Sequence, residues 1–269
     1  MSRSVRGILP LAPLCVLICG CSMFGDSAWN GAHTSVGAGL QQVALSGSID
    51  TTTPIGKGGS VTTAFDLEDD AGQDEEQAAL YAAAQLGIAP LELRVSGFEY
   101  ANEASGTFTG ELLGTTFSGP VETDFDLSAY KLTMGLDVLN LERLRVGAIL
   151  GATVMDLDFL IASTTVPDAS ENLDEMVPAP VAGVRADLKV IDGVRVGGEF
   201  TMLPIDEVEG FEVSFIDWEL GIHVEPLPYL EVFGLYREIR LELDGDIDGN
   251  DAALDIGLRG PVIGVAITF

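Results

Sequence analysis

Along "DGDIDGND", Asp244, Asp246, Asp248 and Asn250 alternate, Gly249 stands among them, and Asp255 falls twelve positions into the pattern. Oxygen ligands at alternate positions can converge on calcium where a glycine permits a sharp turn. The flanks here read as strands rather than helices, and Asp255 is shorter than the usual bidentate glutamate. The same residues therefore also read as the acidic, solvated tip of a hairpin. "FDLEDDAGQDEE" (65–76) is a weaker ion candidate of the same kind. Divalent ions bridging these acidic loops to anionic lipopolysaccharide are a further expectation. Beyond calcium, no cofactor is expected.

Catalysis needs a nucleophile and a base placed together. The chain has two histidines, His33 and His223. His223 shares a stretch with Glu219 and Gly221 and reads as a hydrogen-bonding interior residue. No Walker, Rossmann, zincin or nucleophile-elbow pattern appears in a strand–helix context. No catalytic residue is expected, and an enzyme acting on membrane lipid is the least favoured reading.

The remaining charged candidates are spread along alternating stretches. "AYKLTMGLDV" sets Tyr130, Leu132, Met134, Leu136 and Val138 on one face, with Lys131, Thr133, Gly135 and Asp137 on the other. "VAGVRADLKV" sets Val184, Ala186 and Leu188 against Arg185, Asp187 and Lys189. "SFIDWELGIHV" sets Ile216, Trp218, Leu220, Ile222 and Val224 against Asp217, Glu219 and His223. Such alternation makes strands with one apolar and one polar face. The polar faces hold Glu92, Arg94, Lys131, Asp137, Arg145, Arg185, Asp187, Lys189, Arg195, Glu199, Asp217, Glu219, Glu231 and Arg237. Arg or Lys facing lipid costs about 2–4 kcal/mol at the midplane. If the apolar faces meet lipid, these charges line the interior and pair across a narrow lumen. A soluble sandwich or lipocalin-like barrel is the competing reading.

Short turns at "GIAP", "LNLE", "IDG" and "EPLP" alternate with longer polar links, among them "ANEASGTFTGELLGTTFSGPVE" and "STTVPDASENLDEM". That rhythm describes an all-β, up-and-down antiparallel transmembrane barrel. The expected strands are 41–50 or 59–68, then 78–86, 91–101, 123–138, 143–160, 177–190, 194–205, 210–225, 229–244 and 252–269. That makes ten, with eight or twelve as alternatives. The chain ends "GPVIGVAITF", an apolar closing strand with Val265, Ile267 and Phe269 on one face.

The first residues, "MSRSVRGILPLAPLCVLICGCS", carry Arg3 and Arg6 ahead of an apolar run too short to span a bilayer. "ICGC" resembles a lipobox, which implies a signal peptide over 1–20 and lipidation of Cys21. Ser22 rather than Asp after it favours the outer membrane by that resemblance. Residues 21–40 read as a lipidated, flexible tether, and 41–269 as the barrel. All three cysteines, Cys15, Cys19 and Cys21, lie in this segment, so the rest of the chain can form no disulfide. From Cys21 onward there are 42 acids and 11 Lys and Arg, a net charge of about −31. No basic surface is left to replace the counterions of a nucleic acid.

"FDLEDDAGQDEE", "AYKLTMGLDVL", "LRVGAILGATVMDLDF", "LPYLEVFGLYREIRLEL" and "LRGPVIGVAITF" together resemble a family of small, largely uncharacterised bacterial outer-membrane β-barrel proteins. The resemblance covers most of 59–269 and specifies fold without catalytic residues. It implies outer-membrane lipid and lipopolysaccharide as surroundings, periplasmic termini, and Phe269 as the signal read by the barrel-assembly machinery. Trp218, Tyr130 and Tyr236 are the candidates for an aromatic girdle. The expected function is a structural, adhesive or surface-binding role, with a narrow channel for small solutes or cations as the alternative.

Overall fold

The computed structural model describes residues 32–55, 59–73, 76–112, 114–166, 169–204, 207–208, 211–247 and 250–269. Residues 1–31, with Cys21, lie outside them.

Among the described residues twelve strands form one antiparallel sheet: β1 (Ala32–Ile55), β2 (Gly59–Asp66), β3 (Gln77–Ile88), β4 (Leu91–Leu112), β5 (Thr115–Asn140), β6 (Leu144–Ser163), β7 (Ser170–Ile191), β8 (Val194–Met202), β9 (Glu207–Val208), β10 (Phe211–Leu227), β11 (Leu230–Ile247) and β12 (Asn250–Thr268). Ten of these close a ring in the order β1–β3–β4–β5–β6–β7–β8–β10–β11–β12 and back to β1. The closing seam runs from Ser35 opposite Thr268 to Thr52 opposite Asp251. It is finished by Thr34 and Phe269, which exchange backbone bonds of 3.1 and 2.8 Å. Closure leaves the ring no free edge at this junction.

The expectation of ten ring strands holds, but several boundaries move. Residues 32–40 are strand, not tether. Their glycines serve close approach: a Cβ on Gly37 would stand 2.9 Å from the Ala266 Cβ, and one on Gly39 2.7 Å from the Ile263 carbonyl oxygen. The competing first strands 41–50 and 59–68 are both strands. The lower part of β1 pairs with β3, from Ala32 opposite Ile88 to Val43 opposite Gln77. Its upper part pairs with β2, from Ser48 opposite Asp66 to Ile55 opposite Gly59. β2 and β3 thus share one place in the ring, interrupted by residues 67–76. The presumed loop "ANEASGTFTGELLGTTFSGPVE" is mostly a hairpin, with Ala101 to Leu112 paired against Asp126 to Thr115.

Each long strand crosses two zones. Nearer the short turns, the outward side chains of β5 are Tyr130, Leu132, Met134, Leu136 and Val138, all exposed, while Lys131 and Thr133 face inward and are buried. Nearer the long loops, Glu122, Asp124 and Asp126 face outward, while Val121, Phe125 and Leu127 are buried inside. The same change occurs on β6 after Val154, on β11 after Tyr236 and on β12 before Pro261. The apolar outer zone spans roughly nine or ten residues per strand, the length a tilted strand needs to cross hydrocarbon. Tyr130, Trp218 and Tyr236 stand toward its upper edge. The Tyr130 hydroxyl donates to Glu99 at 2.6 Å, and the Trp218 and Tyr236 ring centroids are 5.6 Å apart.

Candidate functional site: the filled lumen

Glu92, Arg145, Arg195 and Glu231 are each the second residue of a strand leaving a short turn, so all four point inward near that end. On one side of the lumen, Arg145 Nη2 donates to Glu92 Oε2 at 3.0 Å, and Arg185 Nη2 donates to Asp137 Oδ1 at 2.6 Å. Arg185 also contacts Glu92. On the other side, Arg195 lies 3.2 Å from Asp187 Oδ1 and 2.9 Å from Glu231 Oε2. His223 Nδ1 lies 2.7 Å from Glu231 Oε1. His33, in β1, lies 3.1 Å from the Gln85 amide nitrogen and 3.7 Å from Glu92. Lys189 reaches the turn and pairs with Asp192 at 2.7 Å.

One step deeper, six charges interlock. Lys131 Nζ bridges Glu199 at 2.8 Å and Asp217 at 2.7 Å. Arg237 donates twice to Asp217, and its guanidinium carbon lies 5.7 Å from the Tyr81 ring centre. Arg94 reaches Glu199 at 3.0 Å, Glu219 at 2.6 Å and the Tyr81 hydroxyl at 2.7 Å. Three cations meet three carboxylates, and Lys131, Glu199, Asp217 and Arg237 are all buried. Burying charges is tolerable only with such pairing and charge-assisted bonding. A cavity of about 80 Å³ remains among Tyr81, Arg94, Arg185, Arg195, Glu219 and His223. At about 10–15 Å³ of such volume per molecule, it has room for a few waters.

Above the charges the lumen is apolar. Phe65 meets Phe108 edge to face at 4.8 Å, and Phe125 lies 6.2 Å from Phe159. The segment after β2 turns into this core, with Leu67, Ala71 and Gln73 fully buried. Asp66 Oδ1 accepts the backbone N–H groups of Glu68 and Asp69 at 2.8 and 2.9 Å, which fixes the turn. The Asn102 amide donates to Gln73 at 2.5 Å, and the Thr123 hydroxyl donates to the Ala71 carbonyl at 3.0 Å. Gly106 lets the turn dock, since a Cβ there would stand 1.8 Å from the Asp70 carbonyl oxygen. Above Glu99, β4 is strand-paired only with β5, and this turn and the side chains of β2 fill its other flank.

Of the calcium candidates, Asp244 and Asp255 are exposed on β11 and β12, opposite Ala253 and Glu242 respectively. The backbone of Asp246 continues β11, that of Asn250 begins β12, and Asp248 lies outside the described residues. Among the described residues no group of three His, Cys, Asp or Glu side chains is placed to hold a metal ion. The sequence reading missed the inward turn. Its signal was the alternation of apolar Phe65, Leu67 and Ala71 with acids inside a segment that otherwise looks like loop.

No protein-family model matches the chain, and no curated protein matches it. Among solved structures, the outer membrane protease OmpT from Escherichia coli is similar at TM-score 0.56 and 11% identity, over 87% of this chain and 97% of that one. The fold is that of a bacterial outer-membrane β-barrel. The barrel is also similar to AlkL, at TM-score 0.41 and 14% identity over 93% of this chain and 96% of that one. Ail of Yersinia pestis matches at TM-score 0.32 and 10% identity, over 89% and 99% of the two chains.

Proposed function

We propose that the protein is an outer-membrane lipoprotein, held through Cys21 and its barrel, with a closed lumen and a structural and binding role at the cell surface. Its short turns and both termini face the periplasm, and its taller, acidic wall faces outward. Phe269 is the residue presented to the assembly machinery. The observation that carries the reading is the double filling of the lumen, by paired charges at the level of the apolar zone and by an aromatic core with an inserted turn above it. On this reading the two layers together close the lumen, and recognition falls to the outer surface. The activity is non-enzymatic on this reading, with His223 serving Glu231.

The test is single-channel recording of the refolded protein in a planar bilayer, after the gel shift between unheated and boiled samples has established insertion. Insertion without unitary steps supports the closed barrel. Stable cation-preferring steps would replace it with the channel reading.

A further inference from the structure

Strict alternation breaks at three of the four short turns, each time in the same direction. On β5, Lys131, Thr133 and Asp137 point inward, and alternation would send Leu139 after them into the charged mouth. The register shifts between Asp137 and Leu139 instead, and Leu139 comes to lie opposite Val146. Directly opposite residues share a face, and Val146 faces outward in step with Ala148 and Leu150. On β7, Arg185, Asp187 and Lys189 point inward, and a shift between Lys189 and Ile191 sets Ile191 opposite Val194 on the outer face of β8. On β10, Asp217, Glu219 and His223 point inward, and an irregularity between Val224 and Leu227 sets Leu227 opposite Leu230 on the outer face of β11. Such irregularities re-aim side chains. These three keep an apolar residue out of the lumen and place it on the outer wall, where Leu139, Ile191 and Leu227 remain 40, 62 and 59% exposed. Nothing in the protein covers them.

The fourth turn and the terminal junction complete the rim. Ile88 lies opposite Leu91 across the β3–β4 turn, and both are exposed. Phe269 is exposed at the end of β12, in step with Val265 and Ile267. All five ends on this side of the barrel therefore carry large, outward apolar side chains. Glu142, Arg143 and Asp192 lie in the turns beyond the last cross-strand pairs, and Glu225 lies among the residues that the β10 irregularity skips. Two features identify what covers the rim. It continues the lipid-facing zone without a break, since Val138 precedes Leu139 on β5 and Val224 precedes Leu227 on β10. It also runs all the way round, as an encircling solvent requires, whereas a docked protein would need apolar surface on one side only. Tyr229, at the tip of the β10–β11 turn, is exposed as an amphipathic ring at a membrane interface would be.

We infer that the rim of short turns is immersed in the periplasmic leaflet of the membrane, with Ile88, Leu91, Leu139, Ile191, Leu227 and Phe269 against acyl chains and the turn tips among the headgroups. The inference rests on the outer-membrane reading above and sets the depth at which the barrel sits. The charged mouth built by Glu92, Arg145, Arg195 and Glu231 then opens at headgroup level and does not project into the periplasm.

The test introduces tryptophan at two rim positions on different turns, Ile191→Trp and Leu227→Trp, and at Glu122→Trp above the apolar zone as the control. Each chain is refolded into phosphatidylcholine vesicles and into vesicles of phosphatidylcholine brominated along its acyl chains. The quantity read is the quenching by bromine of the fluorescence that each substitution adds to the wild type. The gel shift is checked first, and failure of the wild type to insert would sink the outer-membrane reading itself. Should one rim variant fail to insert, Leu139→Trp takes its place. With insertion established, both rim positions are expected to be quenched several-fold more strongly than the control. Quenching no greater than the control at both would overturn the proposal and assign the rim to a periplasmic protein. Quenching at one rim position alone would overturn it as well, because lipid surrounds the barrel and a partner covers one side.

Discussion

Arg237 grips Asp217 with two parallel bonds, Nε to Oδ1 at 3.0 Å and Nη2 to Oδ2 at 2.9 Å, at a level of the barrel where the outer wall meets lipid. The pair is the centre of the charged layer, since Asp217 also receives Lys131 at 2.7 Å. Its removal tests whether the layer holds the ring together. Asp217→Ala strands Arg237, leaves Lys131 with Glu199 alone, and should cost about 3–5 kcal/mol. Replacing Asp217 and Arg237 together by Leu and Met should recover a large part of that loss. Urea unfolding in lipid vesicles measures both, and a negligible cost for the single change would show that the layer is not structural.

The two zones of β5 make opposite demands on the same substitution. Met134 lies within the apolar outer zone and is 54% exposed. Met134→Arg should destabilise the inserted barrel by about 2–4 kcal/mol. Glu122→Arg, outward on the same strand above that zone, should change stability by less than about 0.5 kcal/mol. Unfolding of the two variants in the same vesicles compares them directly, and equal costs would erase the boundary between the zones.

Docking of the inward turn depends on the absence of a side chain at residue 106. Gly106→Val should expel residues 67–73 from the lumen mouth while the gel shift persists. Glutamyl endopeptidase should then cut after Glu68 much faster than in the wild type. Unchanged cleavage would mean that the turn docks without Gly106.

Above the lipid zone, Asp126 stands directly opposite Asp158 across the β5–β6 pair. Its pKa is raised from the ordinary 3.8, first by partial burial and then by Asp124, Asp158 and Glu103. A carboxyl with a raised folded-state pKa binds its proton more tightly in the folded protein, so its share of stability is present below the unfolded value and is lost as pH rises through the folded one. Asp126→Asn should therefore raise stability at neutral pH and leave it unchanged at pH values below 3.8. Unfolding midpoints at the two pH values check the sign, and an Asn variant weaker at neutral pH would contradict it.

The lipid-facing half of the barrel was plain in the sequence because strict alternation leaves few alternatives there. Leu132, Met134 and Leu136 could only be one face, and Lys131 and Asp137 the other. The upper half was obscure for a physical reason. From Ala101 to Leu112 the outward residues are polar or small, and several inward ones are Ala or Gly because the turn and the side chains of β2 occupy the space inside. Neither face shows a clean period, so the stretch reads as loop. Residues 32–40 misled in a related way: their glycines signal close contact with β12 and Phe233, and composition alone cannot distinguish that from a flexible linker.

The change of chemistry midway along each strand also acts as a check on pairing. Side chains alternate with a period of two, so sliding β5 by one residue exchanges its faces along its whole length. In a single-zone barrel that error is punished once. Here it would turn Lys131 and Asp137 toward hydrocarbon and, in the same movement, drive Asp124 and Asp126 in among Phe125's neighbours Tyr100 and Phe159. The misaligned sheet has no compromise in which one zone is satisfied while the other waits. A strand with this pattern carries two independent copies of its own alignment instruction, and one stays legible when the other is damaged.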